Sequence, residues 1–177
     1  MKENRTFGPS RRHFLVAALA ATAGGSACSR APLSPWRFLS LDEARTLTAL
    51  CDRIIPADEY PGAAWAGVVR YIDRQLTGHF SEHQQAYREG IAELNRRAGG
   101  RFELLEVTKQ DALLRSIEKD KQLGPFFSLA IAHTIQGFYG SPRHGGNHDW
   151  ISWQMLGVPI SPSRGRDQYD FTAGGPT

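Results

Sequence analysis

The chain has 177 residues with 41% hydrophobic and 22% charged side chains. That is ordinary for one globular domain and excludes wholesale disorder. The formal net charge of +3 is concentrated at the N-terminus, where Lys2, Arg5, Arg11 and Arg12 face Glu3 alone before Cys28. The chain from Cys28 onward is balanced, which argues against a nucleic-acid binder. Arg96, Arg97 and Arg101 could form a local basic patch but read as a solvated face.

Residues 1–27 read as a twin-arginine signal peptide. Ser10-Arg11-Arg12-His13-Phe14-Leu15 precedes an apolar run, Phe14 to Ala23, that is short for a membrane span. Gly25-Ser26-Ala27-Cys28 follows. Cys28 fits either of two outcomes: lipidation at a lipobox-like site that lacks its usual leucine, or ordinary cleavage after Ala27. A lipid there would anchor the chain without spanning the bilayer. The twin-arginine route exports folded proteins, often with a cofactor already inserted. The expected location is therefore periplasmic, at the inner membrane.

Residues 28–37 read as a Pro/Ser linker. An all-α domain of five or six helices is expected over 38–157, with an irregular tail from 158 to 177. Ser40 and Glu43 form a capping box for a first helix running to about Ile55, where Pro56 discourages continuation. After the turn 56–62, a second helix is expected from Ala63 to Leu76 with Val68, Val69, Ile72 and Leu76 inward. A third should cover Ser81 to Ala98, stopped by Gly99-Gly100. Thr108 with Asp111 predicts the cap of a fourth, using Leu113, Leu114 and Ile117. Pro125 suits the first turn of a fifth, central helix through Phe138. The loop GFYGSPRHGGNHDW (137–150) follows, then a helical segment from Trp150 to Leu156.

The same residues offer little recognisable chemistry. No Gly-x-Gly-x-x-Gly follows a strand pattern, so a dinucleotide fold is not indicated. With Cys28 and Cys51 as the two cysteines, covalent c-type haem and four-cysteine iron–sulfur sites are excluded from this chain. Cys51 reads as a small core residue, or as a thiol bridged to a partner. His133 reads as a core histidine. His144, His148 and Asp149 are close in sequence, and a metal-dependent enzyme using them is one alternative. Gly145-Gly146 opposes the helix that would align them. Asp58-Glu59 reads as a solvated turn, and Ser141 and Ser152 match no nucleophile-elbow pattern. No catalytic, cofactor or metal residue is assigned.

Two stretches resemble a known family: ALCDRIIPADEYPGAAWAGVVRYID (49–73) and GFYGSPRHGGNHDWISWQMLGVP (137–159). They are similar to the gluconate 2-dehydrogenase subunit 3 family, the small subunit of membrane-associated FAD-dependent sugar, sugar-acid or polyol dehydrogenases. The resemblance implies a large flavoprotein partner carrying FAD and a cytochrome c subunit carrying haem. It also implies a non-catalytic small subunit that helps fold the flavoprotein and export it through the twin-arginine translocase. Membrane association would run through the partners or a lipid at Cys28. Many family members carry an acidic residue where Ser141 stands and a glycine where Ser152 stands, which leaves the substrate of the complex open. A helical lipoprotein with a scaffolding role is the other alternative. For the quoted loop, shape and aromatic area make Tyr139, Arg143, His144, Asn147, Trp150 and Trp153 the expected docking residues, with Asn147 and Asp149 able to cap turns.

Overall fold

A computed structural model describes residues 34–158. The expected export signal (1–27), Cys28 and the residues beyond Val158 lie outside these residues. The described residues form six α-helices and short 3-10 turns, with no strand among them.

Helix α1 spans Leu41–Ile54. Its capping box is formed as expected: the Glu43 amide donates to Ser40 Oγ at 3.2 Å, and the Ser40 amide donates to Glu43 Oε2 at 2.8 Å. Ala44, Leu47, Leu50 and Cys51 recur at helical spacing and are buried. The chain then folds back tightly: the Ala63 amide donates to Ile55 O at 2.9 Å. A Cβ at Gly62 would lie 2.7 Å from that same carbonyl oxygen, so only glycine fits.

Helix α2 spans Val68–Leu76, a full turn shorter than Ala63 to Leu76. Gly67 adopts φ +72°, outside the right-handed helical region, and resets the chain after a turn in which Ala63 and Ala66 are buried. Trp65 consequently points outward at 48% exposure instead of riding on a helix. The third segment opens with a 3-10 turn, Ser81–His83, and becomes helix α3 at Gln84–Arg97. Gly99 and Gly100, at φ +75° and +148°, close it as expected.

Helix α4 spans Val107–Ile117. Its N-cap is Glu106 and has no side-chain cap bond, so the Thr108 cap is not formed. Asp111 has a stronger partner, accepting from Arg53 Nε at 2.8 Å.

Helix α5 spans Gly124–Tyr139, with Pro125 in its first turn. It packs against each of the other helices and is the central element expected from its sequence. Two glycines permit its close neighbours. Phe126 lies where a Gly90 side chain would be, and Tyr71 and Val68 crowd Gly137. Its apolar circumference is not all buried, since Ile135 is 45% exposed. Helix α6, Ile151–Met155, is the short final helix.

The segment before α1 is strapped to the core. The amides of Arg37, Phe38 and Leu39 donate to the buried Asp73 carboxylate at 2.8, 2.9 and 3.0 Å. Arg88 donates to Phe38 O and lies over the Phe38 ring, while pairing with Glu43. Arg96, Arg97 and Arg101 are not a free basic patch, because Glu93, Asp120 and Glu103 pair with them. Among the described residues, no helix is long and apolar enough to cross a membrane.

Candidate functional site

The 137–150 loop is a rigid, internally braced shelf. After α5, Pro142–His144 makes a 3-10 turn and Gly145 turns left-handed at φ +106°. Gly146 then presses on the end of α5, where a Cβ would sit 2.1 Å from Gly137 O. Asn147 follows at φ 47°, fully buried. Its Nδ2 donates to Gly140 O at 2.9 Å and its Oδ1 accepts from the Ser152 amide at 3.0 Å. One side chain thus ties the start of the loop to the first turn of α6. The His148 amide donates to Ala66 O at 3.0 Å, fastening the loop to the turn before α2.

Asp149 and Trp150 are left-handed as well, at φ 52° and 56°. Such conformations are uncommon outside glycine, and most so for a bulky aromatic. They persist because the surrounding bonds over-determine them. Gln154 Nε2 donates to Asp149 O at 2.6 Å, the Trp150 amide donates to Asn147 O at 2.9 Å, and Trp153 Nε1 donates to Tyr139 O at 2.9 Å.

The sequence-expected docking residues therefore divide. Tyr139, Arg143, His144 and Trp150 are exposed, and Trp153 is half-buried with its indole N–H engaged. Asn147 is not a surface residue; its amide is spent inside the loop, in the capping role its side chain also allowed. Ser152 is buried with its Oγ unpartnered among the described residues, at the position where the family resemblance leads one to expect glycine. Trp65 was not singled out from sequence, because it lies inside a stretch that reads as helix. Its indole meets the His148 ring edge-on at 5.0 Å.

The histidines of the loop are not gathered into a ligand set. His148 Nδ1 faces Asp149 Oδ2 at 3.4 Å. His144 lines a separate surface depression of about 540 Å³ with Tyr71, His79, Phe80, Ile135 and Tyr139. Among the described residues, no group of three or more His, Cys, Asp or Glu side chains converges as a metal site would require.

Three buried groups, His133, Tyr87 and Cys51, are held in their neutral forms. His133 lies flat between Phe80, at 4.0 Å, and Tyr87, at 5.8 Å, and its Nδ1 is 2.9 Å from the Tyr87 hydroxyl. Burial, then the nearby His83, pulls its pKa down to about 4, with Glu82 acting weakly in the other direction. The Tyr87 phenol is pushed up by burial. Cys51 is fully buried, accepts from Thr134 Oγ1 at 3.2 Å, and has its thiol pushed up to about 12 by desolvation. That environment is a core cysteine's and not a nucleophile's. A bridge from Cys51 to a partner would require the core to open.

The family model described as gluconate 2-dehydrogenase subunit 3 matches residues 41–159, from the first residue of α1 to just past the described residues. The chain belongs to this family. The family implies a multisubunit dehydrogenase complex, with this chain as one subunit. The matched span contains both the braced loop and the turn beneath it. No curated protein and no solved structure matches the chain significantly.

Proposed function

We propose that this family member is the non-catalytic small subunit of a periplasmic, membrane-associated, FAD-dependent dehydrogenase. In this reading it assists folding of the flavoprotein subunit and carries it through the twin-arginine translocase. One observation carries the proposal: a subunit 3 domain over 41–159 follows, on the same chain, a segment with the twin-arginine pattern at Arg11-Arg12. Because that route moves folded cargo, one leader can serve two chains that associate before export. FAD would sit on the flavoprotein and haem on a cytochrome c subunit that passes electrons onward. The exposed aromatic and arginine side chains of the 137–150 shelf support a docking role. Membrane attachment would come from the partners or a lipid on Cys28.

The test is genetic and biochemical. A strain lacking this chain should make little periplasmic dehydrogenase activity, with the flavoprotein retained in the cytoplasm. Replacing Arg11-Arg12 by Lys-Lys should strand both subunits there. Normal periplasmic activity in the deletion strain would overturn the proposal.

A further inference from the structure

The loop shelf meets α2 along a line that the sequence does not join. His148 is bonded to Ala66, Gly145 O lies beside Gly67, and the Arg74 side chain packs over Gly145, 2.9 Å from where a Cβ would be. Arg70 stands one helical turn before Arg74 and is exposed, and Arg143 projects from the loop two residues before Gly145. Trp65, whose ring meets that of His148, and the left-handed Trp150, two residues beyond His148, are 48% and 39% exposed.

The arginines on this face differ from those of α1, α3 and α4. Every arginine of α1, α3 and α4 sits against a carboxylate. Among the described residues, Arg70, Arg74 and Arg143 pair with none; Arg143 bonds only the Ser141 hydroxyl, at 3.2 Å. Of the acidic groups nearby, Asp73 is buried and occupied by three strap amides, and Asp149 faces His148. Helix α5, on which α2 packs, carries no charged residue. The loop and α2 therefore present three guanidiniums with no carboxylate partner among the described residues, together with two exposed indoles.

We infer that Trp65, Arg70, Arg74, Arg143 and Trp150 form one docking epitope for a folded protein surface that carries carboxylates around an apolar cleft. Resting on the function proposed above, that surface belongs to the flavoprotein subunit. Arginine and tryptophan are the side chains that most often dominate protein interfaces, and guanidiniums recognise carboxylates in a fixed, two-pronged geometry. The left-handed backbone and the buried Asn147 brace hold the relief still before a partner arrives, which lowers the ordering cost of binding. An anionic bilayer would also attract the arginines, but it would not require a braced shelf.

The test uses the full chain and the flavoprotein subunit purified from the same complex. Arg70→Glu/Arg74→Glu should weaken association about tenfold or more, and Trp65→Ala should do so comparably. Rising salt should weaken the wild-type complex but have little effect on the charge-reversed one. Arg143→Glu, on the loop, supplies a second probe should the α2 variant lose its helical circular dichroism. If wild-type subunits associate and these variants bind with unchanged affinity and salt dependence, the epitope is wrong while the small-subunit reading stands. If the wild-type subunits do not associate at all, both fall. Unchanged subunit association in the variants, with loss of binding to vesicles of phosphatidylglycerol and phosphatidylethanolamine, would reassign the face to a membrane.

Discussion

Two buried side chains, Asn147 in the loop and Ser152 in the first turn of α6, should respond in opposite ways to the same truncation. Asn147 satisfies Gly140 O and the Ser152 amide and occupies a left-handed conformation that asparagine tolerates better than alanine. Asn147→Ala leaves the buried Ser152 amide and the part-buried Gly140 carbonyl without this partner and adds backbone strain, so the domain should lose about 2–4 kcal/mol. Its thermal midpoint should fall by roughly 10 °C. Ser152→Ala instead removes an Oγ that has no partner among the described residues. It should be neutral or stabilising by up to about 1 kcal/mol. Thermal unfolding of both variants checks the pair, and a midpoint for Asn147→Ala within a degree of wild type would remove the brace. Sequence alone could suggest that Asn147 caps a turn, because asparagine after two glycines is turn chemistry. It could not show that the side chain is buried, since the partners lie seven residues back and five ahead.

At the scale of elements, the spacing of apolar residues specified the helices well, and the failures were local. Helix α2 starts late because Gly67 takes a positive φ after a turn in which Ala63 and Ala66 are buried and the Ala66 carbonyl is held by the His148 amide of the loop. The Thr108 cap fails because Asp111 is drawn to Arg53, which lies on a different helix. In both cases a tertiary contact outweighed a local preference. The strap is the largest contact that the sequence hid: Asp73 lies on the inward side of α2 and binds residues 37–39, some 35 positions away. It ties residues 37–39 to the folded core. Asp73→Ala should release that segment and cost about 2–4 kcal/mol, with the released amides regaining water and so limiting the loss. Hydrogen exchange decides it. The Phe38 and Leu39 amides should exchange at least tenfold faster in the variant, and unchanged protection would show that the strap is held by Arg88 and Phe38 packing instead.

For the whole molecule, the titratable groups predict acid unfolding in two stages. His133 has a folded pKa of about 4 against an ordinary value of 6.5, so on acidification the unfolded chain takes the proton first. Stability from this group is full above pH 6.5, declines as pH falls from 6.5 to 4, and changes no further below that. The groups that face the imidazole are His83 and Glu82 from the 3-10 turn and Tyr87 from α3, and none offers a close carboxylate partner for an imidazolium. After allowance for solvent near His83, the loss is on the order of 2 kcal/mol. The carboxylates act later, with pKa values shifted in the same direction but from a lower starting point. Hydrogen bonds from Arg96 and Arg97 hold Glu93 down to about 2, and Arg97 with the Leu123 and Gln122 amides does the same for Asp120. Their contribution is intact above about pH 4.5 and is lost only as pH falls towards 2. Urea unfolding at a series of pH values should therefore show one decline between pH 6.5 and 4 and a second below 4.5. His133→Gln, which retains an acceptor for the Tyr87 hydroxyl but cannot titrate, should abolish the first decline and leave the second. If the first decline survives in that variant, the buried imidazole is not its source.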